Sequence, residues 1–324
     1  MATKQKLIEL FESSKGVYFS GEEIAGQLGI SRAAVWKNIK ALQNEGYSID
    51  AVTNKGYCLS EKTDILSPQG IAKYLQKECK NMDITVLQTV TSTNALLREK
   101  AVQGALEGSV IIANEQTLGR GRRGRSFASP SGTGIYMSLL LRPNEMKAEQ
   151  AVRITTIAAV AVCEAIEEVS GEPAQIKWVN DIFMNGKKVC GILTEASLDM
   201  ESGLLDYAIL GIGINVYQPQ NGFPEELNNI AGTVFDLPQN DAKNHLAAEI
   251  ISRFMNYYNH MEQIDYAAKY RSKSLAIGKQ VNVLSGNDSR KALVLDVDDE
   301  CRLLVRYEDN TEGLLSSGEI SIRV

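Results

Sequence analysis

The segment Gln116-Thr117-Leu118-Gly119-Arg120-Gly121-Arg122-Arg123-Gly124-Arg125 sets four arginines among three glycines. Gly119, Gly121 and Gly124 fit the spacing GxGxxG, but a dinucleotide fingerprint must open a helix at once. Here Ser126-Phe127-Ala128-Ser129-Pro130-Ser131-Gly132 continues as loop. Glycines give such a loop freedom to move, and guanidinium forks clamp carboxylate or phosphate oxygens in pairs of hydrogen bonds. The chemistry suggested is the binding of an anionic, nucleotide-bearing ligand that orders the loop. A solvated basic loop or an RNA contact fits the run equally well.

A second cluster, Gln175-Ile176-Lys177-Trp178-Val179-Asn180-Asp181, places a lysine at a strand position between apolar neighbours. A lysine so placed is either the partner of a buried carboxylate or a functional cation. Asn180 and Asp181 are suited to anchoring nearby loops or to a magnesium ion. Further along, Gly191-Ile192-Leu193-Thr194-Glu195 and Gly211-Ile212-Gly213-Ile214-Asn215 put small residues on a sheet face, where a ligand can approach the backbone. Simple sheet packing explains any one of these glycines as well. The only histidines are His245 and His260, both in an expected helix, which argues against a zinc site or a histidine-based triad.

These residues need elements to hold them. Leu7, Leu10 and Phe11 share one helical face. Ser20, three residues before Glu23, forms a capping box that predicts a helix from Gly21 to about Leu28. Gly29 supplies a turn, and Ser31 caps a second helix with the stripe Val35, Ile39, Leu42 and a stop at Gly46. This is a helix-turn-helix. Its second helix exposes Arg32, Ala33, Trp36, Lys37 and Lys40 behind Ser31, suiting a major-groove recognition helix. Tyr47–Val52 and Tyr57–Leu59, joined by a polar turn, form the expected wing. A small helical protein-interaction module is the bland alternative.

After the polar linker Ser60–Asp64, strands and helices mix without regular βαβ alternation. Expected are a helix from Pro68 to near Lys80, a strand over Ile84–Thr89, and a helix over Ala95–Val102 capped within Thr91-Ser92-Thr93-Asn94. Strands follow over Ser109–Asn114 and Gly134–Leu141, with a long helix over Ala148–Val169. Asn185-Gly186 signals a hairpin between two short strands. A long strand over Leu205–Val216 and a helix over Ala242–Met261 complete the region. The last fifty or so residues alternate short strands with polar turns, among them Gly286-Asn287-Asp288, and suggest an SH3-like barrel. The fold class is therefore α+β: a winged helix-turn-helix over 1–63, a mixed-sheet domain over 64–273, and a barrel over 274–324.

Length and composition agree. The 324 residues suit two or three domains, and 44% hydrophobic with 23% charged residues is ordinary for a soluble globular protein. A net charge of −6 does not advertise a nucleic-acid binder, so the basic helix must act locally. The five cysteines lack a CxxC pair and read as core residues in a reducing compartment. No apolar stretch approaches the ~20 residues of a membrane span, and no signal-peptide core opens the chain. The expected location is cytoplasmic.

Taken together, Ser92-Thr93-Asn94, Gln116 with Gly119–Gly124, Lys177–Asp181 and Gly191–Glu195 resemble the biotin–protein ligases. With the helix-turn-helix, the resemblance extends over essentially the whole chain to the bifunctional ligase–repressor type. It implies condensation of biotin with MgATP to biotinyl-5′-adenylate, then transfer of biotin to a lysine of a biotin carboxyl carrier protein, such as that of acetyl-CoA carboxylase or pyruvate carboxylase. By the same resemblance, Ser92, Thr93, Asn94, Gln116, Arg120, Gly121, Arg122, Lys177 and Gly191 surround biotin. Arg122, Arg125, Asn180 and Asn215 face the nucleotide. Lys177, Arg122 and Arg120 serve the chemistry, and Asp181 is the candidate magnesium ligand. Operator DNA and an adenylate-dependent homodimer are further implied partners. The family often has proline after Lys-Trp; this chain has Val179. A purely sensing transcription factor and a lipoate ligase are the competing readings.

Overall fold

The computed structural model describes residues 3–285, 288–316 and 318–322. The turn expected at 286–288 therefore lies largely outside the described residues. The chain divides into two compact units, Met1–Lys80 with Leu237–Glu249, and Asn81–Asp236 with Ile250–Val324. The three-part division expected from sequence thus differs in its grouping: residues 64–80 and 237–249 fall with the N-terminal unit, and the C-terminal strands with the larger one.

In the first unit, α1 (Thr3–Glu12), α2 (Gly21–Leu28) and α3 (Arg32–Asn44) precede the hairpin β1 (Ile49–Val52) and β2 (Gly56–Leu59). Ser20 and Glu23 form the capping box, Gly29 adopts the left-handed conformation at φ 64°, and Ser31 caps α3. Leu7, Phe11, Ile24, Val35, Ile39 and Leu42 make one core. Its burial stabilises the unit by roughly 1.5–3 kcal/mol per large side chain. The helix expected to reach Lys80 is shorter: α4 covers Pro68–Ala72, and a 3-10 turn follows at Lys77–Cys79. A cluster of charges sits beside it. Lys73 Nζ is 2.9 Å from Glu12 Oε2 and 2.6 Å from Asp241 Oδ2, and Lys15 Nζ is 2.8 Å from Asp241 Oδ1.

The second unit is built on a seven-stranded sheet in the order β3-β4-β5-β9-β8-β7-β6. These strands are β3 (Ile84–Val90), β4 (Val110–Gln116), β5 (Gly134–Leu141), β6 (Gln175–Lys177), β7 (Asp181–Met184), β8 (Lys187–Leu198) and β9 (Leu205–Asn215). Only β3 and β4 pair in parallel, because α5 (Thr93–Val102) crosses between them; short connections make the remaining pairs antiparallel. The hairpin at Asn185-Gly186 has both residues at positive φ, 49° and 75°, as an Asn-Gly turn requires. β8 is far longer than the short strand expected.

Cross-strand partners share a face, so register defines the two sides of this sheet. Lys177, Asp181, Gly191, Gly213 and Tyr136 form one rung, and Leu193, Gly211 and Ser138 part of the next. Leu97 of α5 packs with Ile111, Leu140 and Ile209 on that side. The opposite side carries α6 (Val152–Ser170), where Thr155 Oγ1 meets Thr194 Oγ1 at 2.7 Å. Gly171 ends α6 in the left-handed conformation. α7 (Ala242–Asn259) stops one residue before His260, and α8 (Tyr266–Ser272) was not expected from sequence.

The C-terminal strands β10 (Gln280–Ser285), β11 (Asp288–Val297), β12 (Leu303–Tyr307), β13 (Glu312–Leu315) and β14 (Glu319–Ile322) pair antiparallel in the order β13-β12-β11-β10-β14. These five antiparallel strands form the small C-terminal domain expected from sequence, with no pairing described between β13 and β14. All five cysteines are buried free thiols. Among the described residues no helix is long and apolar enough to cross a membrane.

Candidate active site

A cleft of about 990 Å³, counting its open mouth, lies over the Lys177–Tyr136 rung. That size suits a small-molecule ligand. Ser92, Thr93, Asn94, Gln116, Arg120, Gly121, Arg122, Arg125, Lys177, Asn180, Asp181 and Gly191 all line it. Residues spread over a hundred positions of chain therefore converge. Asn215 does not line it; its Nδ2 donates to the Gly232 carbonyl at 3.1 Å.

One end of the cleft is neutral and polar. Ser92 caps α5, which puts Thr93 and Asn94 in the first turn, beneath the end of β4. Gln116 Oε1 accepts from Thr93 N at 2.9 Å and lies 3.1 Å from Thr93 Oγ1. Gln116 Nε2 donates to Ser129 Oγ at 3.0 Å. Such a set offers directed donors and acceptors to an uncharged head group.

The Arg-Gly loop hangs from the end of β3, since Thr117 N and Leu118 N donate to Val90 and Thr91 carbonyls at 2.9 and 2.8 Å. Gly121 N then donates to Arg125 O at 2.7 Å, and Phe127 N to Gly119 O at 3.0 Å. The arginines separate by role. Arg122 Nη1 donates to Asn180 Oδ1 at 2.9 Å, over the cleft. Arg125 grips Glu319 with two hydrogen bonds, 2.8 and 3.1 Å, and Arg123 adds a longer one at 3.4 Å. Arg120 stays exposed at the rim. Burial alone would raise the Glu319 carboxyl, but the Arg125 fork, with the Arg123 and Lys177 charges, holds it below the ordinary range.

The other end is cationic. Trp178 and Val179 are buried, the peptide between them is cis, Trp178 Nε1 donates to the Cys301 carbonyl at 2.9 Å, and Tyr270 Oη donates to the Val179 carbonyl at 3.1 Å. These contacts fix β6 and aim Lys177 at the cleft, with its ammonium 5.6 Å from the Phe183 ring centroid. Burial holds the Lys177 ammonium below the usual lysine range, against the pull of Asp181, while Lys188 adds repulsion. Asn180 is clamped: its Nδ2 donates to the Ile192 carbonyl at 2.8 Å.

Lys188 is a site residue that the sequence reading missed. Its Nζ stands 2.6 Å from Asp181 Oδ1, and its side chain runs past Gly191 into the cleft. Strict alternation from Gly191 would give this face to Val189. A bulge between β7 and β8, where Ile182 pairs Cys190 but Phe183 pairs Lys188, turns Lys188 inward instead. Phe127, Ser138, Glu195 and Glu319 were likewise unassigned. Only Lys188 carried a signal, as a basic residue just after the hairpin turn.

The glycines correct another expectation. Room over Gly213 is taken by Phe127, whose ring would lie 2.6 Å from an added Cβ, and room over Gly211 by the Asn94 amide. The missing side chains admit the protein's own groups rather than a ligand. As for magnesium, Asp181 is already paired with Lys188, and no group of three histidine, cysteine or acidic side chains converges among the described residues. The donor set fits an ion held chiefly by substrate phosphates with one carboxylate behind it.

A neutral head-group pocket leading to a cluster of cations under an arginine loop defines a site that joins a carboxylic acid to a nucleotide. Comparison with known proteins agrees. Residues 86–215 match the biotin/lipoate A/B protein ligase family, 3–58 an HTH domain, and 276–323 the biotin protein ligase C-terminal domain. The chain is 36% identical to the bifunctional ligase/repressor BirA of Bacillus subtilis, over 97% of each chain. It is 29% identical to that of Escherichia coli, over 98% of this chain and 96% of the other. The biotin protein ligase of Aquifex aeolicus in complex with biotin and ATP superimposes with a TM-score of 0.63 at 30% identity, covering 74% of this chain and 98% of that one. The chain belongs to the bifunctional biotin–protein ligase/repressor family.

Proposed function

We propose that this protein activates biotin with ATP and passes it to a lysine of a biotin carboxyl carrier protein, and that its adenylate-bound form represses transcription. The observation that carries the enzymatic half is the convergence of Gln116, Thr93, Arg122, Lys177 and Lys188 on one cleft.

In the first step a biotin carboxylate oxygen attacks the ATP α-phosphorus, and the bond to pyrophosphate breaks. Two anions must approach, so their repulsion has to be screened by cations already in place. Arg120, Arg122, Lys177 and Lys188 supply four. Asp181 keeps Lys188 oriented, and Asn180 does the same for Arg122. Magnesium, when bound with ATP, would neutralise phosphate charge, and Asp181 would be the carboxylate that holds it. Arg122 and Arg125 face the nucleotide, while Asn215, outside the cleft, holds the Gly232 carbonyl instead. In the second step the carrier amine attacks the acyl carbon and AMP leaves. The acyl-adenylate is hydrolysable, so a loop that excludes water preserves it.

Biotin-dependent exchange of labelled pyrophosphate into ATP tests the enzyme. No exchange overturns the reading, and exchange driven by lipoate in preference to biotin replaces it with a lipoate ligase. Acetyl-CoA carboxylase and pyruvate carboxylase carrier domains are the acceptors to try.

For the regulatory half, α3 exposes Arg32, Ala33, Trp36, Lys37 and Lys40, with Ser31 at its cap, as a groove-facing surface needs. Loop ordering by adenylate favours a homodimer, formed through sheet edges, that presents two such helices to operator DNA. The protein acts in the cytoplasm. Sedimentation with and without adenylate checks the dimer, and equal association in both sinks it. Lys37→Ala should lower the salt slope of duplex binding by about one unit; an unchanged slope removes α3 from the interface.

A further inference from the structure

We propose that Glu195 is a positioning residue that sets the direction of the hydrogen bonds running through Asn94, Ser138 and Thr93 at the head-group end of the cleft. This rests on the ligase reading above and names how that reading's substrate is recognised.

Glu195 lies on β8, on the cleft side of the sheet by register with Ile209. Its Oε1 accepts from Arg98 Nη2 at 2.5 Å and its Oε2 from Asn94 Nδ2 at 2.8 Å. Asn94 Oδ1 is 2.6 Å from Ser138 Oγ, and Ser138 Oγ is 2.7 Å from Thr93 Oγ1. Thr93, Asn94 and Ser138 are 3%, 5% and 0% exposed, so water cannot choose for them.

An amide's two ends are nearly equal in shape, and only its partners decide which way it points. A carboxylate can only accept. Asn94 must therefore turn its NH2 to Glu195 and its carbonyl to Ser138. Ser138 has one hydrogen and gives it to that carbonyl. The remaining short contact then requires the Thr93 hydroxyl to donate to Ser138. The 2.7 Å contact to Ser138 takes the Thr93 hydrogen in preference to the 3.1 Å contact to Gln116 Oε1, which keeps the Thr93 backbone N–H as its donor, so Thr93 Oγ1 offers only lone pairs to the cleft. Biotin's bicyclic head carries urea N–H groups, which need such an acceptor. The selectivity for a urea donor thus originates in a carboxylate three links away.

Glu195→Gln keeps the shape but lets the amide donate, so Asn94 can reverse and Ser138 can turn its hydrogen toward Thr93. In biotin-dependent pyrophosphate exchange this variant should raise the KM for biotin at least tenfold, with kcat and the KM for ATP within twofold of wild type. It should also discriminate less than wild type between biotin and an analogue methylated at a urea nitrogen, a ratio that looser packing would not change. A biotin KM within twofold, or an equal loss for ATP and biotin, overturns the proposal. If Glu195→Gln does not fold, Ser138→Ala breaks the same chain at its middle and should give the same split; an unchanged biotin KM there also overturns it. No exchange by the wild type overturns the ligase reading, and this proposal with it.

Discussion

Arg122 reaches across the cleft to Asn180, and the 2.9 Å hydrogen bond between them joins two sequence clusters 58 residues apart. Asn180 is itself clamped to β8 through Ile192, so the loop is braced against the sheet that carries the cations. The cover over the cleft and its floor are one hydrogen-bonded piece.

Arg122→Ala removes both a brace and a cation. Losing a charge-assisted hydrogen bond of about 1.5–3 kcal/mol should raise adenylate leakage at least tenfold. Rapid-quench measurement of released and hydrolysed intermediate checks this, and leakage equal to wild type would count against a gating loop.

Lys177 is held charged at a cost, because burial favours its neutral form in the folded protein. At pH 7, below its depressed folded pKa, that penalty is fully present. It fades as pH rises through the folded value toward the ordinary ~10.4 of the unfolded chain. Lys177→Met should therefore raise the urea midpoint at neutral pH, gain less near pH 10, and cut exchange activity at least a hundredfold. A variant that is both less stable and fully active contradicts the placement of this lysine at the chemistry.

Glu319→Gln should loosen the Arg-Gly loop without unfolding the protein. Trypsin at pH 8 should cut after Arg120, Arg122 or Arg123 about fivefold faster than in wild type. In wild type the same tie is present above the ordinary carboxylate value of about 4.3 and is lost as pH falls through the lowered Glu319 value. Hydrogen exchange of the loop amides between pH 3 and 6 follows it; protection that does not fall with pH would discount the pair.

Lys73→Met leaves Glu12 and Asp241 facing each other with only Lys15 between them. Removing one partner of a largely buried ion cluster costs several kcal/mol, and partial exposure of Lys73 reduces this to roughly 2–3 kcal/mol. Urea unfolding monitored in the N-terminal unit measures it, and a change below 0.5 kcal/mol would show the cluster to be solvated.

Local signals in the sequence carried the helix-turn-helix, the Asn-Gly hairpin and most strands, because caps, turns and periodicity act over a few residues. They also brought most of the cleft residues to notice, since Arg-Gly-rich and lysine-bearing strand segments are chemically unusual. Lys188 escaped because a bulge reverses the alternation that sequence reasoning assumes. α8 escaped because seven residues hold too little periodicity to read. Glu195 and Glu319 are ordinary acids until tertiary structure sets them against Asn94 and Arg125. The grouping of 237–249 with the N-terminal unit depends on distant charges such as Asp241, which no local pattern announces.

The pair that holds the loop spans 194 residues of chain. A ribosome lays down Arg125 long before it reaches Glu319, so a growing chain carries the Arg-Gly loop without this tie through most of synthesis. The Arg122–Asn180 brace needs only the middle of the chain, and the tie to Glu319 closes when β14 joins the last sheet. An interrupted chain therefore lacks the second tie on its Arg-Gly loop, and the long closure makes full anchoring of that loop depend on the last strand having been made.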